Sequence, residues 1–506
     1  MSDILDTFLP GQLEVEKITL ANAEGEAIDF TNTTSNIRLT ESIHQPFVSG
    51  SISVVDGNDM LKYYKMTGQE SLTINVRPVD ADENGQAILA KPEQSINRVF
   101  RVYSITKEIP ADNDQSKGYI MSFIDPKSFL ASQTRISQCL RGSYSDMLIK
   151  VWREYLFSEK DDVDKLTEYW DKSTPSNHQL VVPNWTINKL IKYICENADE
   201  GPEATWHNSM FFFDTVFGKQ RFMSYDNMMK MECPVAFDSY SRKSVLGTEA
   251  FNPNLPLIGL NTQILEYSRP KRTNTLKGAN SGAYSSRINS YDPVKKVNRV
   301  QIFSLQDVYD RMDGKFPLVR LGEDEVIYEA GTIPEFVSEP IETTSVYVTP
   351  PLDGEIASHN LTLNKVNATN DYSDSAYLLD STDQVEIAQD WVGEEHKDNG
   401  LLERISLLSL LDNYVTEVVI PFRPDIYSGM AVTLHIPSVE LMPSSGESPP
   451  KDEMNNDNYL VTGVVFDLKP SKGFGHIRMR CVKDSSAVDI KSYQPLAKDT
   501  STPEKL

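Results

Sequence analysis

Histidines and carboxylates are the groups from which a catalytic or metal site would be built. This sequence has seven of the first and 73 Asp plus Glu. No two histidines stand in the HExxH arrangement, which sets two imidazoles one helical turn apart on one side of a metal. His396 follows Glu394 and Glu395, but no second histidine lies one turn away. His435 lies between Leu434 and Ile436, so strand alternation puts it on a polar face. No phosphate-binding loop, dinucleotide fingerprint or nucleophile elbow is present. Glycoside hydrolysis needs only two carboxylates, and 73 acids supply many chance pairs. None of them stands in a recognisable apolar setting that would raise its pKa for acid catalysis. The expectation is a non-enzyme with no catalytic, cofactor-binding or metal-ligating residue and no cofactor. A cell-wall hydrolase stays open as an alternative.

Four cysteines, Cys139, Cys195, Cys233 and Cys481, are far apart and form no CxxC pair. They read as buried free thiols rather than a zinc ribbon or redox site. A basic stretch carries Arg269, Lys271, Arg272, Lys277, Arg287, Lys295, Lys296 and Arg299 against Asp292 alone. Phosphate contacts need such residues, but single-strand binding also needs stacked aromatics, and only Tyr284 and Tyr291 are at hand. A solvated loop, or one paired with a neighbour's acidic segment, is the plainer reading.

The elements that would position any site follow from periodicity. Ile37, Leu39 and Ile43 share one parity, with polar Arg38 and Thr40 between them. After Pro46, Val48, Gly50, Ile52 and Val54 alternate with serines. Asp56-Gly57 breaks the pattern; Met60, Leu61 and Tyr64 then follow at helical spacing, and Leu72, Ile74 and Val76 open another strand. Period-two runs with small polar partners are strands with one buried face. Further strands are expected at Leu13–Leu20, Ala27–Phe30, Arg98–Ile109 and Tyr119–Ile124, with a polar loop at Asp80–Gln94. Together they suit a small β-barrel or sandwich over 12–125.

The pattern changes after Leu130. Ser143 or Ser145 caps a helix running to about Phe157, with Met147, Leu148, Val151, Trp152, Tyr155 and Leu156 as its stripe. Thr186 caps a second, carrying Ile187, Leu190, Ile191 and Ile194. Met210–Phe213 and Arg221–Ser224 read as a hairpin around Gly218. Strands are expected at Gln263–Tyr267 and Val297–Phe303. A helix with Leu401, Leu402, Ile405, Leu408 and Leu411 leads to strands at Glu417–Ile420, Val432–Ile436, Tyr459–Leu468 and His476–Val482.

Length and charge bound the organisation. A chain of 506 residues holds about three or four domains. No apolar run approaches a membrane span, and MSDILDTFLPGQ has acids where an export signal needs bases, so no stable membrane insertion and no Sec-type export are expected. The net charge of −24 argues against general wrapping of nucleic acid. Residues 311–400 hold 19 Asp and Glu against 5 Lys and Arg, so more than half of the imbalance falls in under a fifth of the chain. That span reads as an acidic insertion with strand-like pieces at Glu325–Glu329 and Ser345–Val348.

The order strand, strand, short helix, strand at Ile37–Val76 resembles the N-terminal tube domain of the T-even central-spike hub family of phage baseplates. The words Met210-Phe211-Phe212-Phe213, Gly218 and Tyr225-Asp226-Asn227-Met228-Met229 resemble that family's middle domain. So does the amphipathic helix preceded by Val182-Pro183 and Trp185. Gly429-Met430 with its alternating strand, Tyr459-Leu460-Val461-Thr462 and the closing hairpin are similar to the end of the family's second barrel. The resemblance stops at 311–400, where T-even hubs carry a different insertion.

The resemblance implies a mixed β fold with an α+β middle. Residues 1–130 would be an N-terminal tube-type β-barrel, 131–255 the α+β middle domain, and 256–310 with 401–484 a second, discontinuous barrel. Residues 311–400 are the acidic insertion and 485–506 a disordered tail. It further implies a structural homotrimer, a pseudo-sixfold ring between a sixfold tail tube and a threefold spike. Tube-initiator proteins would sit above and a spike protein below, with tape-measure protein or DNA transiently in the channel. Its place would be the virion tail baseplate, assembled in the host cytoplasm. A type VI secretion spike hub is the alternative within the class, and a cell-wall hydrolase or host-glycan-binding protein the alternative outside it. Excision of 311–400 is expected to leave a soluble trimer; a monomeric or insoluble product would place the insertion in the interface.

Overall fold

In the computed structural model the described residues are 10–22, 25–81, 87–110, 116–156, 169–173, 178–200, 206–231, 233–238, 262–271, 283, 285–292, 297–305, 341–344, 400, 403–412, 414–436 and 457–483. The first part of the chain gives strands β1 (Leu13–Ala21), β2 (Ala27–Asp29), β3 (Thr34–Ser42), β4 (Ser49–Asp56), β5 (Ser71–Ala81), β6 (Ala87–Leu89), β7 (Ile96–Pro110) and β8 (Lys117–Ile124), with the short helix α1 (Met60–Tyr63) between β4 and β5. The expected alternation holds: Ile37, Leu39, Val48, Ile52, Val54, Leu72, Ile74 and Val76 all lie in one buried core. The polar loop expected at Asp80–Gln94 instead contains β6, which pairs with the end of β5.

Asp125-Pro126 does more than end this block. Asp125 caps α2 (Pro126–Gln133) by accepting the Lys127 amide at 2.8 Å, and Pro126 occupies the first turn, where its missing N–H costs nothing. Two short antiparallel pairs follow, β9 (Arg135–Ile136) with β12 (Trp185–Thr186), and β10 (Cys139–Gly142) with β11 (His178–Val181). Between them α3 (Tyr144–Val151) begins at a Ser143 capping box closed by Asp146. The expected helix to Phe157 holds as α-helix only to Val151 and continues over Trp152–Leu156 as a π-helix. The wider turns set Trp152 among Phe47, Phe212 and Trp170, at 6.1, 5.3 and 6.3 Å between ring centroids. The second expected helix is α4 (Ile187–Asn197), capped by Thr186, with Ile187, Leu190, Ile191 and Ile194 buried.

The hairpin β13 (Met210–Asp214) and β14 (Gln220–Ser224) is in register from Met210↔Ser224 to Asp214↔Gln220. Nearly every residue in both strands is buried, which explains the unbroken apolar run. Helix α5 (Tyr225–Lys230) starts at the Ser224 cap and β15 (Ala236–Asp238) follows. Farther on come β16 (Glu266–Lys271), β17 (Ser285–Asp292), β18 (Val297–Ser304), β19 (Ile341–Thr344), β20 (Val415–Pro421), β21 (Ala431–His435), β22 (Asp457–Lys469) and β23 (Phe474–Val482).

Most of these strands belong to one sheet. Among the described residues its order is β16-β20-β23-β22-β3-β4-β8-β7-β5-β1-β2, with β15, β21 and β6 attached at its sides. All pairings on the main path are antiparallel. Strands far apart in the chain meet where β22 runs against β3, from Gly463↔Ser42 to Leu468↔Ile37. The first half of β22 pairs instead with β21, from Asp457↔Leu434 to Leu460↔Ala431. The exchange of partners falls at Thr462, where the β22–β23 register slips between Val461 and Gly463. The Thr462 carbonyl is not lost there: it accepts from the Ile43 amide and the Ser42 hydroxyl, both at 3.0 Å.

Three further expectations are corrected. The basic stretch was expected as a loop, but Ser285–Asp292 is strand β17, paired antiparallel to β18 and parallel to β19. The apolar stripe of the helix at 403–410 follows expectation only at Leu411, which is buried together with Leu407 and Leu410, whereas Ile405 and Leu408 are each 37% exposed, and Leu401 and Leu402 lie outside the described residues. Only two of the cysteines, Cys195 and Cys481, are buried; Cys139 is exposed and Cys233 is half-buried, and all four are free. The strand-like pieces at Glu325–Glu329 and Ser345–Val348 and the tail at 485–506 lie outside the described residues.

One glycine in β4 marks how closely the Phe123 ring of the neighbouring strand β8 packs on it. A Cβ on Gly50 would lie 2.6 Å from Cζ of Phe123 and against the carbonyl of Arg38. Replacement Gly50→Ala is expected to lower stability by about 1–3 kcal/mol, read as a shift of the urea midpoint; an unchanged midpoint would contradict this packing.

Candidate functional site

The described residues hold a buried polar junction where three parts of the chain meet. Glu41 on β3 is its centre. It has the parity of Leu39 and Ile43, so strand geometry turns its carboxylate inward, and it is 1% exposed. One oxygen accepts the Val216 amide at 2.5 Å from the turn of the β13–β14 hairpin. The other accepts the Ser428 amide at 2.6 Å and the Ser428 hydroxyl at 3.2 Å, from the turn between β20 and β21. One carboxylate thereby satisfies two buried backbone donors far away in sequence.

That second turn is built for close approach. Gly429 takes φ +86°, and a Cβ there would stand 2.5 Å from Cζ of Phe213. Its amide donates to the Val461 carbonyl at 2.7 Å, tying the turn to β22.

A second anchor lies on the other side of the hairpin. Arg98 on β7 donates to the Thr215 carbonyl at 2.6 Å, to Asp214 at 2.7 Å and to Asp125. Asp125 also caps α2, so one guanidinium holds a strand, a helix start and the hairpin together. Burial opposes the charge of Arg98, but Asp214 and Asp125 outweigh it and raise its pKa. Burial pushes Asp214 up to about 6 despite Arg98. Burial pushes Glu41 up to about 7, against the pull of its three donors, and the nearby Asp214 adds to the rise.

Farther along, His207 Nδ1 lies 2.6 Å from Asp199, and the His207 amide donates to Glu403 at 2.7 Å. Ser224, 2.6 Å from Glu200, caps α5 through the Asn227 amide. Its hydroxyl is thus committed to a carboxylate and the cap of α5, while the His207–Glu403 bond positions the helix at 403–410. Among the described residues no three of His, Cys, Asp and Glu gather as metal ligands, and no helix is long and apolar enough to cross a membrane.

The residues singled out in the sequence are not brought together. His435 is half-buried and meets Asp238 at 2.7 Å across the parallel β15–β21 pair. His396 lies outside the described residues, as do Arg272, Lys277, Lys295 and Lys296. Arg269 is exposed, its guanidinium 5.8 Å from the Tyr267 ring. Lys271 pairs with Val415 in the ladder, and Arg287 and Arg299 fall on β17 and β18. The sequence reading missed Glu41 and Arg98. The signal for Glu41 was present: a carboxylate at an inward parity position between two buried aliphatics.

No family model matches the chain, and no curated protein does. Solved structures do. The chain is similar to the tail protein of Neisseria meningitidis MC58, at 9% identity and TM-score 0.45 over 92% of this chain and 96% of that one. It is similar to the 43 kDa tail protein of prophage MuSo2 from Shewanella oneidensis, at 9% identity and TM-score 0.43 over 94% and 100%. An E. coli component of the type VI secretion system, described as structurally similar to T4 bacteriophage tail proteins, gives 6% identity and TM-score 0.36 over 96% and 79%.

Glu41 sets a pH dependence. Its folded pKa of about 7 stands above the ordinary glutamate value of 4.5, so the native state holds the proton longer than the unfolded chain. The stability advantage of the protonated form is complete below the unfolded pKa and is lost as pH rises through 7. Relative to Glu41→Gln, the wild type should lose on the order of 2–3 kcal/mol between pH 5 and pH 8, measured by urea unfolding of both proteins across that range. A constant difference would contradict the assignment. Glu41→Ala, which strands two amides, should cost about 2–4 kcal/mol.

Proposed function

We propose that this chain is the structural hub of a phage tail baseplate or of a related injection machine. Three copies form a pseudo-sixfold ring that joins a sixfold tail tube to a threefold spike and leaves a channel. The observation that carries the reading is the β3–β22 seam. It sets the strands of the N-terminal part beside those of the C-terminal part as one continuous sheet, pinned underneath by Glu41. Two strand groups held side by side in each subunit become six around a threefold axis. Such a ring meets sixfold symmetry on one side and threefold on the other.

In this reading residues 1–130 form the first tube-type barrel, and 256–310 with 401–484 the second. Residues 131–255 are the middle domain, whose hairpin wedges against both; 311–400 are an acidic insertion and 485–506 a tail. The sequence resemblance to T-even hubs, in the same order along the chain, supports that division. Tube-initiator proteins lie above and a spike protein below, and tape-measure protein or DNA passes through the channel transiently. A net charge of −24 suits a lumen past which DNA slides without adhering. The role is structural, without catalysis, in a virion tail assembled in the host cytoplasm.

The test is the mass of the purified full chain in solution. Light scattering over a dilution series should give a species of three 57.1 kDa chains. A strict monomer at every concentration would remove the ring.

A further inference from the structure

A groove of about 660 Å³ opens between the turn after β3, strand β7, helices α2 and α4, the β13–β14 hairpin and the helix at 403–410. Its size is that of a ligand site. Its walls include Phe47, Ile191 and Phe212, and Tyr103 and Leu408 stand partly exposed among its lining residues.

Arg404 enters this groove from the helix at 403–410. One of its nitrogens, Nη1, is held by three backbone carbonyls: Cys195 at 2.9 Å, Asn208 at 2.6 Å and Met210 at 3.1 Å. The guanidinium also lies 5.2 Å from the centre of the Phe211 ring. Its place is therefore fixed before any ligand arrives. Nε and Nη2 have no acceptor among the described residues. Among the described residues no carboxylate stands within ion-pair distance either: Glu196, on the groove wall, is paired with Lys192 at 3.8 Å. Burial lowers the Arg404 pKa, and Cys195 and Glu196 only partly offset that. A withdrawn cation that lacks its counter-charge is costly unless an anion completes it.

A second group on the same groove is also incomplete. Asn188 lines it from α4, and its Oδ1 is buried with no hydrogen-bond partner among the described residues. The groove thus combines a guanidinium with free donors, an unused amide acceptor and apolar walls. Phosphate would leave the apolar walls unused, since it has no apolar part. A polypeptide uses all three.

We propose that this groove binds a carboxylate-bearing segment of a partner polypeptide. Arg404 receives the carboxylate of an acidic or C-terminal residue through Nε and Nη2. Asn188 accepts a backbone N–H of the segment, and an apolar side chain beside the carboxylate lies against Phe47, Ile191 and Phe212. The site is a docking pocket for an incoming chain, and it stands on the groove's own geometry whether or not the protein assembles as a ring.

N-acetyl-phenylalanine carries the three required features in one small molecule and serves as the probe. Titrated into the full-length protein and followed by NMR, it should bind saturably, about tenfold or more tighter than N-acetyl-phenylalaninamide, which lacks the charge. Arg404→Gln should abolish the preference for the acid. Because Arg404 also holds three carbonyls, that variant is paired with Ser128→Trp, which fills the groove from α2 and leaves Arg404 intact; it too should lose binding. Inorganic phosphate should not compete at equal concentration. The proposal is overturned if the probe does not bind, if acid and amide bind alike, if phosphate displaces the probe, or if Ser128→Trp binds as the wild type does.

Discussion

The backbone ladder between β3 and β22 is the constraint on which the rest of the molecule depends. Each of these strands would otherwise show an open edge, with unpaired amides and carbonyls inviting another chain. Pairing them removes both edges at once and joins residues more than 400 positions apart, such as Ile37 and Leu468. The seam makes one core of what periodicity alone presents as separate strand groups. Ile52 and Phe123 from one side and Phe466 and Ile477 from the other belong to the same buried cluster.

The underside of the seam is where polar chemistry has been taken inside. The hairpin turn at Val216 and the turn at Ser428 both approach β3, and both bring backbone N–H groups that no strand can pair. Glu41 meets that need with one side chain, and Arg98 does the same for the Thr215 carbonyl and two carboxylates. Buried polar contacts of this kind add little net stability compared with apolar packing. What they contribute is position, since a misplaced hairpin would leave several groups without partners. The Phe217 ring, edge-on to Phe466 at 5.9 Å, adds the apolar half of the same wedge.

The same junction shows how buried carboxylates are used among the described residues. The buried acids of the junction are already engaged: Glu41 by three donors, Asp125 by Arg98 and a helix cap, Asp199 by His207. The raised pKa of Glu41 reports its burial inside a framework. The open groove at Arg404 differs from them because its cation keeps unused donors facing space. One chain therefore carries two kinds of buried charge, one completed internally and one left for another molecule.

The sequence by itself determined the local elements. Period-two alternation marked β3, β4, β5 and β21 to β23, because one face of each is buried and the other is not. Ser143 and Thr186 marked their helices, because their side chains take the first free amides. The tertiary structure alone decided which strand lies beside which, since alternation says a face is buried without saying against what. It decided the π-helix at Trp152, whose ring packs with Phe47, Trp170 and Phe212. It decided the phase of the helix at 403–410, where Glu403 and Arg404 are held by groups near 195–210 and turn the leucine stripe away from its expected side. Of the candidate site, only the inward parity of Glu41 was legible. Its donors come from residues 175 and 387 positions away, and contacts at such separations are set by packing, not by any pattern within a strand.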